Sequence, residues 1–297
     1  MRWERDVPLS ALARYRIGGR AARLARLSSI EDVRSVVREL GGAPHHVLGT
    51  GANVLIADRG VADAVLLLGG DLDHVAIEPG AIEAGAAFRL PALASAARRG
   101  AREGFRFLEA VPGTLGGALR MNAGSRDEWL WSRVEWAEVV TDEARLERVT
   151  PETARPGYRH VRVPESWIFV GARMRAPGGD AAAIEEAHIA FRTRKVADQV
   201  YELPSIGSTW KNPVPPHGSA WEIVDRVGMR GARSGGARIS ERHANFIVNE
   251  GDATAVDVLE LMIETRRRAH EDLGVLLEPE IKLWGFSPDR LRAVGAA

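Results

Sequence analysis

The stretch VPGTLGGALRMNAG, Val111 to Gly124, holds five Gly or Pro residues among its fourteen and a single charge, Arg120. Such a run presents backbone more than side chains. Glycine tolerates positive φ and has no Cβ, so Gly113, Gly116, Gly117 and Gly124 let main-chain N–H groups come close to a ligand. Phosphate is the usual ligand of such a surface, and a tight turn between two apolar segments is the alternative. A second stretch, LGTGANVL from Leu48 to Leu55, again places glycines in an uncharged context after an apolar run, with Asn53 able to bond a phosphate or ribose. It is not a Rossmann fingerprint, because the third glycine position is Val54 and the residues IAD follow where a helix should open. Two separated glycine turns suggest a long cofactor with its diphosphate held between two lobes.

The chain has 297 residues, enough for two or three compact units. Its formal charge is zero, which gives no electrostatic reason to expect a nucleic acid or a membrane as partner. Of 40 basic residues only Lys195, Lys211 and Lys282 are lysine, a coding bias that makes a surviving lysine worth inspecting. The absence of cysteine excludes disulfides, thiolate metal sites, cysteine nucleophiles and iron–sulfur clusters. MRWERDVPLS lacks an apolar signal core and no run of about eighteen apolar residues occurs, so a soluble, cytoplasmic protein is expected.

Along the chain, Ser28-Ser29 precede Ile30, Val33, Val36, Val37 and Leu40 at helical spacing, and Gly41-Gly42 end the element. Alternation after Gly18-Gly19 suggests a short strand before it, HHVLGTG follows it as strand and glycine turn and AVLLLGG as a buried strand, so the first seventy or so residues make a small β-α-β unit. VAIEPGAIEAG gives two strands joined at Pro79-Gly80, Leu90 to Gly100 a helix with proline in its first turn, and Val134 to Val149 a hairpin. A break at Pro177 to Asp180, where a hinge is possible, precedes an amphipathic helix from Ala181 to Lys195. The remainder reads as the run PSIGSTWKNP, a helix in AWEIVDRVGM, a turn and strand in GGARISERHANFIVN, a long helix from Ala253 to Leu273, and a closing strand in VLLEPEIKLWG. The chain is thus α+β, with expected units at 1–72, 73–180 and 181–297.

Several side chains could carry chemistry. Ser208, in Gly207-Ser208-Thr209, is a turn residue or a proton donor beside a substrate carbanion; it sits in no G-x-S-x-G elbow. Glu280 lies in LEPEIKLWG and faces either solvent or a site, and Glu278, two residues away, shares its face if the strand is regular. Pro279 makes an edge position the expected one. Lys211 and Asn212, in a proline-bounded turn, suit a phosphate contact. Arg159, beside Tyr158 in GYRHVRVP, cannot be told from the other arginines by pattern. The eight histidines show no ligand spacing, and no catalytic metal is expected.

Taken together and in order, GTGANVL, VPGTLGGALRMNAG, GYR, PSIGSTWKNP, SGGARISERHANFIVN and LEPEIKLWG resemble the UDP-N-acetylenolpyruvoylglucosamine reductase (MurB) family of peptidoglycan synthesis. The similarity runs from YRIGG to LEPEIKLWG, in the form that lacks an inserted tyrosine-bearing loop. It implies an FAD-binding fold of the vanillyl-alcohol oxidase type, two α+β lobes over 1–72 and 73–180, followed by an α+β substrate-binding domain over 181–297. FAD is then the cofactor and NADPH the co-substrate, with a UDP-sugar as substrate and no obligate protein partner. The resemblance gives Arg159 the role of stabilising charge, Ser208 that of protonating carbon, and Glu280 that of assisting. It places the cofactor on Gly49, Thr50, Gly51, Ala52, Asn53, Val54 and Leu55, and on Pro112, Gly113, Thr114, Gly116, Gly117, Asn122, Ala123 and Gly124. Tyr158, Lys211 and Asn212 match substrate positions. Val161 stands where the family often has serine, which alters hydrogen bonding near Arg159, and Trp210 stands for the common phenylalanine. An oxidase on the same fold and a flavin-binding protein without activity are the competing readings; the third unit and the three matched catalytic positions argue against them.

Overall fold

The computed structural model describes residues 2–125, 128–198, 200 and 202–296. Contacts divide the chain into two compact units, the first made of Met1–Glu4, Arg23–Thr50 and Asp63–Lys195, the second of Arg5–Ala22, Gly51–Ala62 and Val196–Ala297.

In the first unit the helix Ile30–Leu40 begins where the Ser29 hydroxyl accepts the Asp32 N–H at 3.2 Å and ends at Gly41, whose φ of 55° needs no Cβ. Val33, Val36, Val37 and Leu40 form its buried face. His45–Leu48 then pairs in parallel with Val61–Leu68, from His45 opposite Ala64 to Leu48 opposite Leu67; the connection between them carries the short strand Val54–Ile56 and no helix, so this pair is not a β-α-β unit. These belong to a sheet of order Trp3–Pro8, Arg20–Leu27, Val61–Leu68, His45–Leu48.

An antiparallel five-stranded sheet follows in the order Leu146–Val149, Val134–Val140, Ile168–Arg175, Ala81–Gly85, Val75–Glu78. Its apolar face is covered by the helices Leu90–Arg99 and Leu115–Met121, through Leu90, Leu93, Leu115 and Leu119, and by Phe105 and Phe107 from the segment between them. The second of these helices lies inside the glycine stretch, where the sequence reading saw only turn. Residues 177–180 are bonded to the end of the Leu90–Arg99 segment, with the Glu103 N–H on Pro177 O at 2.9 Å and the Gly179 N–H on Ala101 O at 3.1 Å.

The second unit is built on an antiparallel sheet of order Ser205–Ser208, Phe246–Asn249, Ala237–Ile239, Arg233–Ser234. The helix Ala255–Leu273 packs Val258, Leu259, Leu261 and Met262 into its core. Thr254 caps that helix, and the Asp58 carboxylate accepts the next two free N–H groups, of Ala255 at 2.9 Å and Val256 at 3.2 Å. The closing strand is shorter than its sequence suggested, Lys282–Trp284 only, because Pro279 has no N–H to donate. It pairs in parallel with Val54–Ile56. A helix over Pro288–Val294 was not anticipated. Among the described residues no helix is long and apolar enough to cross a membrane.

Candidate functional site

The two turns flagged by their glycines meet in the first unit. A Cβ on Gly49 would lie 2.7 Å from the Thr114 Oγ1, so only glycine lets the first turn close on the second. Past Thr114 the chain is pinned: the Leu115 N–H donates to Phe88 O at 2.9 Å and the Gly116 N–H to Ala86 O at 2.8 Å. A Cβ on Gly116 would sit 3.1 Å from the Ala86 Cβ, which accounts for that glycine by packing. Gly117 is different. Its Cβ would meet nothing closer than the Thr114 Oγ1 at 3.8 Å, and at Gly113 nothing closer than the Leu90 Cδ1 at 3.9 Å. A glycine in a helix costs about 1 kcal/mol relative to alanine, and at Gly117 no protein atom demands it. Open space before such a residue fits a group that approaches the backbone closely, as a dinucleotide would.

The end of the same stretch organises a second feature. Asn122, buried and left-handed at φ 41°, donates from Nδ2 to Gly157 O at 3.0 Å and accepts the Trp131 N–H on Oδ1 at 3.2 Å. Gly157 and His160 close a two-residue turn, with Gly157 N–H on His160 O at 2.9 Å and Tyr158-Arg159 at its tip. Arg159 there has φ 61°, a position that normally takes glycine. A non-glycine residue in that region costs on the order of 1 kcal/mol, a cost this turn shares with Arg16 and Arg155 elsewhere in the chain. Its guanidinium donates to Gly124 O at 3.2 Å and lies 5.5 Å from the Trp129 ring and 5.4 Å from the Tyr158 ring. Trp129 and Tyr158 meet edge to face at 5.7 Å. Arg120, from the glycine helix, bonds the carbonyls of Val163, Pro164 and Trp167, and burial pulls its guanidinium down to about 10.

In the second unit, Asn53 is bound to the segment that carries Glu280. Asn53 Nδ2 donates to Glu280 O at 3.2 Å and Asn53 O accepts the Lys282 N–H at 2.9 Å. Gly51, at φ 60°, is packed so tightly that a Cβ would stand 2.6 Å from the Ala13 Cα. Ser208 ends its strand one residue after Gly207 at φ 83°. Thr209 O accepts the Glu280 N–H at 2.8 Å, which ties the serine and glutamate segments together. Glu278 goes elsewhere: it is exposed and its carboxylate pairs with the Lys211 ammonium at 3.2 Å. Asn212 Oδ1 accepts the Ala220 N–H at 2.9 Å, at the start of the helix Ala220–Arg226. Arg159, Gly49, Thr50 and Pro112 to Gly124 thus lie in the first unit, and Gly51 to Leu55, Ser208, Lys211, Asn212 and Glu280 in the second.

Comparison with known proteins bears on both units. Residues 21–150 match the family "FAD binding domain", and residues 198–284 match "UDP-N-acetylenolpyruvoylglucosamine reductase, C-terminal domain". The UDP-N-acetylenolpyruvoylglucosamine reductase 2 of Symbiobacterium thermophilum is 37% identical over 97% of this chain and 94% of its own length. The chain belongs to the UDP-N-acetylenolpyruvoylglucosamine reductase family. A member from Acidiphilium cryptum is 36% identical over 95% of this chain and 91% of its own. The crystal structure of the Thermus caldophilus member superposes with a TM-score of 0.83 at 32% identity, covering 96% of this chain and 99% of that one. The α+β fold with its FAD-binding domain, the oxidoreductase class and FAD as cofactor are those of the reductase family.

Sequence reasoning missed Asn245. Its side chain is buried and holds Trp210 on both polar atoms. Its only sequence signal was its place in the run HANFIVN, whose other members are core or turn residues.

Proposed function

We propose that the protein uses FAD and NADPH to reduce UDP-N-acetylglucosamine enolpyruvate to UDP-N-acetylmuramate, in the cytoplasmic synthesis of peptidoglycan precursors that serves cell shape and division. The observation that carries this reading is the joining of the Ser208 and Glu280 segments through the 2.8 Å bond at Thr209, in a chain of this family. When bound, FAD supplies a hydride, drawn from NADPH, to the methylene carbon of the enolpyruvyl ether. The neighbouring carbon then carries negative charge that its carboxylate shares. Arg159 meets that charge with a guanidinium held in place by its strained turn and by Gly124 O. Ser208 gives its hydroxyl proton to the carbanionic carbon, completing addition of hydride and proton across the double bond. Serine is a weak acid, and it serves here because its partner is a far stronger base and is held against it. Glu280 assists beside it.

Cofactor contacts are assigned to Gly49 to Leu55 and to Pro112, Gly113, Thr114, Gly116, Gly117, Asn122, Ala123 and Gly124. The open faces of Gly113 and Gly117 support that assignment most directly. Tyr158, Lys211 and Asn212 are assigned to the substrate, Lys211 exchanging Glu278 for a substrate phosphate. Residues 1–72 and 73–180 act as the two cofactor lobes and 181–297 as the substrate domain.

The test is the visible spectrum of the flavin-bound protein without oxygen. The flavin band should bleach with NADPH and return with the enolpyruvyl substrate; return with oxygen alone would refute the reductase reading. In Ser208→Ala the band should bleach at the wild-type rate and return roughly 100- to 10,000-fold more slowly, the range of a general acid. An unchanged return would remove Ser208 from the chemistry.

A further inference from the structure

Ser208 stands at a weak point of its strand. Ser205 pairs with Val248 and Ser208 with Phe246, so three steps on one strand face two on the other and the ladder is bulged just before the serine. Gly207 lies within the bulge at φ 83°, with no atom within 4 Å of where a Cβ would be, so nothing packs the chain on that side. Ser208 is therefore held by its own pairing with Phe246 and by the residues that follow it, not by the chain before it.

Those residues are gripped by Asn245. Its main-chain oxygen accepts the Thr209 N–H at 2.8 Å, its Oδ1 accepts the Trp210 N–H at 2.9 Å, and its Nδ2 donates to Trp210 O at 2.8 Å. The amide side chain thus does what a neighbouring strand would do, offering one acceptor and one donor to a single residue beyond the end of regular pairing. Only this orientation of the amide satisfies both Trp210 groups. On the opposite side Thr209 O accepts the Glu280 N–H and Trp210 bridges Pro279. Asn245 is 4% exposed and Trp210 2%, so water does not replace these bonds.

We propose that Asn245 is the positioning residue for Ser208: it fixes residues 209 and 210, and through them the aim of the serine hydroxyl toward the carbon it protonates. The inference rests on Ser208 being the proton donor. It assigns Asn245 no contact with substrate or cofactor.

The experiment is stopped-flow absorbance of the flavin-bound protein, with the two half-reactions followed separately in Asn245→Ala, Ser208→Ala and the double variant. Asn245→Ala should accept hydride from NADPH at the wild-type rate but return its electrons to the enolpyruvyl substrate at least about tenfold more slowly, as expected for a misplaced reacting group. Added to Ser208→Ala it should slow that step by less than about threefold, because a residue acting through the serine has little left to act on. A wild-type second half-reaction in Asn245→Ala overturns the proposal. So does a double variant whose loss is the product of the two single losses, which marks a purely structural residue. If Ser208→Ala itself runs at the wild-type rate, the underlying reading falls. Should Asn245→Ala fail to keep flavin, Asn245→Asp has the same shape and keeps the acceptor for the Trp210 N–H while losing the amide donor. The same slowing and the same non-additivity are expected there, and a wild-type rate refutes the clamp.

Discussion

Adjacent glycines 116 and 117 give an internal control on where the cofactor lies. In Gly116→Ala the new methyl arrives 3.1 Å from the Ala86 Cβ and 3.3 Å from Ala86 O, next to backbone held by the Ala86 N–H on Val170 O at 2.9 Å. Overpacking of that kind costs ~1–3 kcal/mol, offset in part by the ~0.5–1 kcal/mol that alanine gains in the helix, so the apoprotein should melt lower by a few degrees at most. In Gly117→Ala the methyl enters open space, its nearest neighbour 3.8 Å away. Alanine favours the helix by ~0.5–1 kcal/mol, and the apoprotein should melt about 2 °C higher, given the scaling for large domains. The same methyl should occupy the approach of the flavin nucleotide. A loss of at least ~1.4 kcal/mol, or about tenfold in Kd, is expected. Melting of flavin-stripped protein and titration with FAD measure the two effects separately. Wild-type FAD affinity in Gly117→Ala would refute the argument, since the open face would then be open to nothing.

The strain at Arg159 predicts an inverted order of stabilities: Arg159→Gly should exceed Arg159→Ala by ~1 kcal/mol in urea unfolding, because only glycine relieves the positive φ, while both lose turnover. Equal stabilities would show that the turn is unstrained. The Glu264 carboxylate, bonded by Arg267 and Arg268, is held down to about 2 from an ordinary 4.5. A depressed carboxylate pKa stabilises the fold above the ordinary value, and the contribution fades as pH falls toward about 2. Melting temperatures of the wild type and Glu264→Gln should therefore differ at pH 7 and converge under acid. Parallel curves would remove this pair network from the stability profile.

What the sequence disclosed was local. Ser29, the apolar spacing after it and Gly41 define one helix without help from the rest of the chain, and the helix is there. The Val134–Val140 and Leu146–Val149 hairpin was equally legible from alternation. Failures came where a distant partner decides the outcome. Period-two reasoning put Glu278 and Glu280 on one face if the strand was regular, but the strand begins only at Lys282, and the stretch before it is fixed by backbone contacts of Pro279 to Trp210 and of Glu280 to Thr209. The Leu115–Met121 helix was hidden by its two glycines, poor helix formers that this site tolerates for separate reasons. Arg159 looked like any other arginine because pattern reports identity and spacing, whereas what sets it apart is its place beside Gly124 O and the Trp129 and Tyr158 rings. Of the candidate site, residue types and their order were readable; the Asn245 amide, the Gly49–Thr114 closure and the Asn122 link each needed two ends far apart in the chain.

Tyr15 shows what such long reach means while the chain is being made. Its hydroxyl donates to Ile247 O at 2.9 Å across 232 residues, and its carbonyl accepts from Asn249 Nδ2 at 3.1 Å. A ribosome adding roughly 5–20 residues per second leaves that tyrosine without its partners for about ten to fifty seconds. Residues 5–22 and 51–62 emerge well before residues 196–297, with which they form one unit. For that interval Tyr15, Ile17 and Leu55, all destined for a dry interior, stay uncovered. A fragment beginning at Val196 would in turn lack those three side chains and the strand that Lys282–Trp284 pairs with. These separated segments must therefore be delivered on one polypeptide, or by fragments that find each other, before this half can set.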